Sequence, residues 1–204
     1  MSIASIADVV TALESRFRIL QKTEFRGETS LTLPLEQIEA VCRTCKEELG
    51  FNVLLDVSSV DHFGEEPRFE MVYELYSLGP GLHLRLKTKV SEDHLEVPTV
   101  SHIWATANWH EREDYDMMGI QFANHPDLRR ILMWDGYPFY PLRKDFPLEG
   151  KSSDVPDVAF TRPAPLAGGP FVTVPTAAGI KDREPRARRP EDSESAPDAS
   201  DQPV

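Results

Sequence analysis

The residues that most resemble a reactive site are Cys42 and Cys45, which form a Cys-x-x-Cys pair. Such a pair exchanges thiols and disulfides when its first cysteine lies at a helix N-terminus, where the helix dipole stabilises the thiolate. Here the pair falls in the middle of a predicted helix, with Cys45 on the apolar face. The chain has 2 cysteines in all, whereas a zinc or iron–sulfur site normally needs four ligands. We interpret both as small core residues, and a thiol redox protein built on them stays an alternative.

The other residues capable of chemistry form no catalytic motif. The 6 histidines are scattered along the sequence, which contains no HExxH, no G-x-S-x-G, no Walker loop and no GxGxxG after a predicted strand. General acid–base catalysis needs two groups that converge in a pocket, and no pattern here predicts one. We therefore expect no catalytic residue, no metal ligand and no cofactor site in this chain.

The stretch from Trp109 to residue 150 is the most unusual part of the sequence. Residues 111–116 bring five charges into two helical turns, with Arg112 and Asp116 as i, i+4 neighbours. Aromatic residues then alternate with prolines, which forbid a continuous helix. The aromatic residues are Trp134, Tyr137, Phe139, Tyr140 and Phe146. Because aromatic and arginine enrichment is typical of interface cores, we expect an extended arm that lies on another protein.

The elements that must position this stretch predict an α+β fold. Apolar residues at helical spacing predict a first helix at the start of the chain and a second that begins at Leu35 and stops at Gly50. A third, capped by Ser101, runs to Met118 and stops at Gly119. With the strands between them, the order is α-β-β-α-β-β-β-α, which favours a two-layer domain with a mixed or antiparallel sheet. We expect the α+β domain at 1–119, the extended Pro-rich arm at 120–150, and a Pro-rich tail at 151–204 whose end, 181–204, is disordered.

The clearest single element is a hairpin around Gly79-Pro80-Gly81, where apolar and charged residues alternate on both sides. A four-residue loop fixes its register, and a slip by one residue would bury the charges. The expected pairs are Tyr73–Leu86 and Leu75–Leu84 on the buried face, and Glu74–Arg85 and Glu70–Lys89 on the outer face.

Composition excludes several classes of function. The 204 residues carry 22 Lys and Arg against 34 Asp and Glu, a formal net charge of −12, which argues against nucleic-acid binding. We expect no spanning helix, because no apolar run approaches the roughly 18 residues required. The first ten residues lack a basic region and include Asp8, so we expect no secretory signal. Two cysteines suggest a reduced, cytosol-side protein.

Two sequence blocks identify a family. The first runs from Glu111 to Ile120 (ERExxDMMGI) and continues from His125 to Leu132 (HPDLRRIL); the second runs from Pro141 to Pro147 (PLRKDFP). They resemble the motifs of the 30-kDa subunit, also called the C subunit, of proton-translocating NADH:quinone oxidoreductase, respiratory complex I. The resemblance does not extend beyond residue 150.

The resemblance implies a non-catalytic, hydrophilic core subunit of the complex I peripheral arm. Such a subunit scaffolds the quinone site and packs against the B and D subunits of the complex, and we expect the I subunit as a further partner. It binds no cofactor itself, since FMN, the iron–sulfur clusters and quinone lie in partner subunits. It is peripheral on the cytoplasmic side of the bacterial inner membrane and associates with the membrane only through the complex. The equivalent subunit of a related membrane-bound hydrogenase or other quinone-type dehydrogenase complex is the nearest alternative.

The same resemblance places the contacts with other subunits in the two blocks and the aromatic stretch between them. The expected interface residues are Glu111, Arg112, Glu113, Asp116, His125, Asp127, Arg129, Arg130, Trp134, Tyr137, Tyr140, Arg143, Lys144, Asp145 and Phe146.

Overall fold

The computed structural model describes residues 5–134 and 136–148, and the backbone of residues 158–159 and 162–163. The chain divides into two compact units, residues 1–144 and residues 145–204. The helices of the first unit are α1 (Ile6–Glu14), α2 (Ile38–Glu47) and α3 (Ala107–Met118). Its strands are β1 (Gln21–Phe25), β2 (Glu28–Leu33), β3 (Val53–Asp61), β4 (Phe69–Ser77), β5 (Leu82–Val90), β6 (Glu96–Pro98) and β7 (Gln121–Ala123).

The main sheet has five strands in the order β1-β2-β5-β4-β3. Strands β2 and β5 pair in parallel, and the other neighbours pair antiparallel. The predicted α+β fold with a mixed sheet is therefore confirmed. One hydrophobic core joins the apolar faces of the three helices to alternate residues of the sheet, and Tyr73 is its largest fully buried side chain.

The predicted hairpin is confirmed as β4 and β5. All four expected pairs are Cα partners in the observed register. The outer-face charges also pair diagonally, because Lys87 Nζ lies 2.7 Å from Glu70 Oε1. Alternation of apolar and charged residues at this length specifies the register, since either neighbouring register would exchange the two faces.

Two local details differ from the expectations. Helix α3 begins at Ala107 rather than near Ser101, because residues 101–106 form tight turns in which Ile103 and Trp104 both donate their N–H to Val100 O. The short strands β6 and β7, which pair in parallel, were not expected. Each is three residues long, too short for an alternating pattern to show in the sequence.

Residues 120–144 fold back on the chain's own domain, contrary to the expectation that the arm lies only on another protein. Leu142 donates its N–H to Met117 O, the last turn of α3, at 3.1 Å, and Lys144 donates its N–H to Asp61 Oδ2 at 2.7 Å. The first compact unit accordingly reaches residue 144, past the expected domain end at 119. Polar groups on α3 and β3 bind this segment, and the enrichment in aromatic residues and arginine could not reveal them.

The second unit contains a two-stranded antiparallel pair, β8 (Val158–Ala159) and β9 (Arg162–Pro163). The expectations for the tail at 151–204, including disorder over 181–204, otherwise fall outside the described residues. Across the part of the chain that the structure describes, no helix is both long enough and apolar enough to cross a bilayer.

Candidate functional site

Helix α3 carries four buried charged residues, which is uncommon because charged side chains are rarely buried without partners. They are Glu111, Arg112, Asp114 and Asp116, and none is more than 7% exposed. Their partners lie on residues 99–133 and on β3, so this helix connects the sheet to the segment that follows it.

Asp116 organises the loop after β7. Its Oδ2 accepts three consecutive backbone N–H groups, from Ile131, Leu132 and Met133, at 3.0, 2.7 and 2.8 Å. Its Oδ1 lies 2.5 Å from Nη1 of Arg130. Burial alone would raise the pKa of Asp116, but the backbone donors and the Arg130 guanidinium hold it below the usual value. The carboxylate therefore stays charged and fixes the loop.

The Arg112 guanidinium donates hydrogen bonds to backbone carbonyl groups of the same loop. Its Nε donates to Arg129 O at 3.1 Å, and its guanidinium lies over the Trp109 ring, 5.2 Å from the centroid. Arg112 and Asp116 were expected as i, i+4 neighbours on α3, and the hydrogen bonds of both reach the 129–133 segment. The Trp109 side chain is 62% exposed, so a large apolar surface lies beside this loop.

A second set of contacts holds residues 140–144. Arg143 donates from Nε to Met118 O at 2.6 Å, and its guanidinium lies over the Tyr140 and Phe69 rings, 4.6 and 5.3 Å from their centroids. Asp61 pairs with Arg68 through both oxygens at 2.8 Å. The Arg68 guanidinium holds the pKa of Asp61 below its usual value, despite burial.

Gly119 allows this packing. It ends α3 in the left-handed conformation with φ +80°, and a Cβ atom there would lie 2.7 Å from the Tyr140 ring and 2.8 Å from Arg143 Nη2. Contacts below 3.0 Å do not occur for real Cβ atoms, so only glycine fits both the turn and the neighbouring side chains.

Glu111 and His125 are buried titratable side chains that lie close to each other. Glu111 accepts the Val100 N–H at 2.7 Å and the Thr99 hydroxyl, yet burial raises the pKa of Glu111 to about 7. His125 Nδ1 accepts the Asp127 N–H at 3.1 Å, so the neutral ring carries its hydrogen on Nε2, which donates to Asn108 O at 3.3 Å and lies 3.8 Å from Glu111 Oε2. Burial lowers the pKa of His125.

Asp114 faces β3, on the other side of the helix from the loop contacts. Its Oδ1 accepts the Ser59 hydroxyl at 2.7 Å, whereas Oδ2 is buried and no described residue donates to it. Burial raises the pKa of Asp114 to about 7, against the Ser59 hydrogen bond, and the charge of Asp56 adds to the rise.

The expected interface residues separate into two groups by exposure. One group points to solvent: Glu113, Asp127, Arg129, Trp134 and Lys144. The other is buried or half-buried within the first unit: Glu111, Arg112, Asp116, His125, Arg130, Tyr137, Tyr140 and Arg143. Asp145 and Phe146 belong to the second unit.

Sequence reasoning missed Asp61, Arg68 and the role of Asp114. Asp61 and Arg68 stand at the two ends of the β3–β4 connection, and the available signal was a charged residue directly at the end of a predicted strand. Asp114 gave no separate signal, because it lies within the charged run 111–116 and its partner Ser59 is 55 residues away.

Cys42 and Cys45 are free and buried in the core side of α2, and burial raises the pKa of both thiols. A raised pKa disfavours the thiolate that redox chemistry requires, which argues against the thiol redox alternative. Within the described ranges, no group of three or more histidine, cysteine, aspartate or glutamate residues is placed to hold a metal ion.

A two-layer α+β domain whose last helix fixes an arginine-rich, aromatic segment is the kind of protein that these features define. Residues 31–152 match the family model described as the 30 Kd subunit of respiratory-chain NADH dehydrogenase, and the chain belongs to this family. It is thus a subunit of NADH-quinone oxidoreductase, respiratory complex I, and lies in the peripheral arm.

Relatives and solved structures agree with this assignment. The chain is 52% identical over 132 residues to the C subunit of NADH-quinone oxidoreductase from Geotalea uraniireducens, covering 65% of this chain and 80% of the relative. Over 144 residues it is 50% identical to the C subunit from Geobacter sulfurreducens, covering 69% and 89%. A trypsin-resistant fragment of Nqo5 superposes with a TM-score of 0.54 at 32% identity, covering 60% of this chain and 98% of the fragment.

A chain of the membrane-bound sulfane sulfur reductase, an archaeal respiratory membrane complex, has a TM-score of 0.61 at 27% identity. The likeness covers 70% of this chain and 85% of that chain.

Proposed function

We propose that this chain is a scaffold subunit that performs no electron transfer itself and orders its neighbours around the quinone site. Within the proposal, FMN, iron–sulfur clusters and quinone belong to partner subunits, and the direct partners are the B, D and I subunits. The complex attaches the chain peripherally to the cytoplasmic side of the inner membrane.

The observation that carries this proposal is the network of buried charges on α3. Glu111, Arg112 and Asp116 are engaged in hydrogen bonds to backbone groups and to side chains of other elements, as with Asp116, which accepts four donors. Groups held in this way position a segment rather than react. The network presents Arg129, Leu132 and Trp134 with exposed side chains, and exposed aromatic and arginine residues are favoured in interface cores.

The expected interface residues take two roles in this proposal. The exposed members, such as Glu113, Asp127 and Trp134, contact partner subunits directly. The buried members, such as Arg112 and Arg130, hold the 127–144 segment in the conformation that the partners bind.

The likeness to the sulfane sulfur reductase chain favours one alternative, the equivalent subunit of a related membrane complex. The two hypotheses share the scaffold role and differ in the partners. Recovery of subunits of an NADH-oxidising complex with this chain supports the first hypothesis, whereas recovery of hydrogenase-type subunits supports the second.

Affinity purification through a tag on this chain, from native membranes, tests the proposal. We expect the other complex I subunits to co-purify with it, and the chain expressed alone to be colourless and inactive in NADH oxidation. Flavin or iron–sulfur absorption in the purified single chain would contradict a scaffold without cofactors.

An Asp116→Asn variant tests the role of the α3 network. Removing the charge takes away the anionic partner of the half-buried Arg130 guanidinium and weakens the acceptor of three loop N–H groups, which destabilises the segment by about 3–5 kcal/mol. We expect several-fold less assembled complex, with normal turnover per complex that does assemble. Asp93→Asn, which changes an exposed carboxylate, is the matched control and should assemble normally. Normal assembly with low turnover in Asp116→Asn would contradict the scaffold role.

A further inference from the structure

A recess of about 160 Å³ lies between β3 and α3 and is bordered by Leu142 of the segment that follows. Three carboxylates line it, from Asp56, Glu113 and Asp114, and none of the described residues in its lining is basic. His110 Nδ1 lies 3.1 Å from Asp56 Oδ1, so one oxygen of Asp56 already has a neighbouring polar group.

Asp114 is the unusual member of this set, because it is only 7% exposed. One of its oxygens accepts the Ser59 hydroxyl, the Ser59 backbone N–H also stabilises the carboxylate, and Oδ2 is buried without a hydrogen bond from a described residue. A buried polar atom without a hydrogen-bond partner is rare in a folded protein and calls for a donor from outside the described structure.

We propose that the recess receives the ε-ammonium group of a lysine from a neighbouring subunit, with Asp114 Oδ2 as its acceptor. This inference rests on the proposed function, since it requires that the chain is bound within the complex. The inference specifies one contact, in which a single cationic side chain is inserted between β3 and α3.

Asp114 has one carboxylate oxygen without a hydrogen bond from a described residue, and a single oxygen favours lysine over arginine as the partner. A guanidinium pairs best with both oxygens of a carboxylate, but Ser59 already occupies Asp114 Oδ1. An ammonium group is a compact point charge that needs only one oxygen. The apolar part of the wall, formed by Met117, Met118 and Leu142, suits the four methylene groups of a lysine side chain.

Two further observations favour a cationic side chain over other ligands. No group of described carboxylates, histidines or cysteines is arranged to hold a metal ion, so the acidic residues of the recess do not form a metal site. The chain also has a formal net charge of −12, which attracts basic surfaces during association.

Zero-length carbodiimide crosslinking of the purified whole complex tests the inference, because the reagent joins a carboxylate to an amine that it already contacts. We expect mass spectrometry to find Asp114 linked to a lysine of another subunit. The link should be absent from the Asp114→Asn complex and present in the Glu113→Gln complex, since Glu113 is the neighbouring exposed carboxylate. The inference would be overturned if the recovered complex lacked this link or if the link persisted in Asp114→Asn. It would also be overturned if Asp114 were linked to a lysine of its own chain.

A stability comparison separates a binding role from a folding role. In the isolated full chain at pH 8, Asp114→Asn should leave the melting temperature unchanged or raise it, because the amide is cheaper to bury than the carboxylate. In the complex, the same variant should weaken retention of the chain about tenfold, measured as release in increasing KCl. A lower melting temperature with unchanged retention would overturn the inference. Failure of the wild-type chain to co-purify would instead refute the proposed function itself.

Discussion

Glu111 is a buried carboxylic acid whose proton is coupled to folding. Burial raises its pKa to about 7, whereas a glutamate in an unfolded chain titrates near about 4.3. Between these values the folded state binds more protons than the unfolded state. The free energy of unfolding therefore falls as pH rises from about 4.5 to about 7, and this contribution is lost above the folded pKa.

A Glu111→Gln variant should remove this dependence. The amide oxygen can still accept the Val100 N–H and the amide nitrogen can donate to the Thr99 hydroxyl, so the local geometry survives. We expect the variant to be more stable than the wild type at pH 8, on the order of 2 kcal/mol, and the two to converge near pH 4.5.

Urea denaturation at a series of pH values measures the difference between the two proteins. Asp114, with its pKa also raised to about 7, contributes a similar slope in both. His125, whose pKa is lowered by burial, contributes the opposite slope below about pH 6.5 in both. The difference between the curves therefore isolates Glu111, and parallel curves would show that Glu111 is ionised in the folded chain.

Cys42 and Cys45 should be inert in the folded chain. Burial raises the pKa of both thiols, so the reactive thiolate is scarce and out of reach. We expect an aromatic disulfide reagent at pH 8 to label the folded chain about 100-fold more slowly than the urea-unfolded chain. Rapid labelling of one cysteine in the folded chain would revive the redox hypothesis.

At the scale of elements, the turn after α3 decides where the following segment lies. Gly119→Ala places a methyl group against the Tyr140 ring and Arg143, in addition to the strain of a left-handed alanine. We expect a loss of about 2–4 kcal/mol in the free energy of unfolding, because residues 140–144 must move.

Gly136→Ala is the matched control for this prediction. Gly136 also has a positive φ, +83°, but a Cβ atom there meets nothing within 4 Å. Its substitution should therefore show the backbone strain alone, about 1 kcal/mol. Equal losses in the two variants, measured by urea denaturation, would mean that the contact with Tyr140 does not matter.

Elements with long periodic patterns could be predicted from the sequence, whereas the polar anchors could not. The β4–β5 register followed from alternation over nine residues on each strand, as Tyr73–Leu86 and Glu74–Arg85 show. The pairing of Asp61 with the Lys144 N–H joins residues 83 positions apart, and no local pattern encodes such a distance. The charged residues of α3 form a visible cluster in the sequence. Their burial could not be predicted, because it depends on the loop that covers them.

For the whole molecule, the contacts of residues 120–144 predict where the chain can be shortened. Truncation after residue 144 retains the Asp116 and Asp61 contacts, so the 1–144 chain should melt within a few degrees of full-length protein. Truncation after Gly119, the end of the domain expected from sequence, removes every loop donor to Asp116. That shorter chain should fail to give a cooperative melt.

Circular dichroism of the two truncated chains distinguishes these outcomes. A cooperative transition in the 1–119 chain would show that the α+β domain is complete without the segment, and would support the boundary expected from sequence. Loss of the transition in the 1–144 chain would show that the second unit is needed for the first to fold.

The three adjacent N–H groups that meet on Asp116 Oδ2 tie the surface of this loop to the last helix. Successive amides directed at one point stay unsatisfied unless an acceptor lies there, and an anion satisfies all three. A chain in which α3 is unfolded lacks that anion, so the surface formed by residues 131–133 exists only in the folded domain.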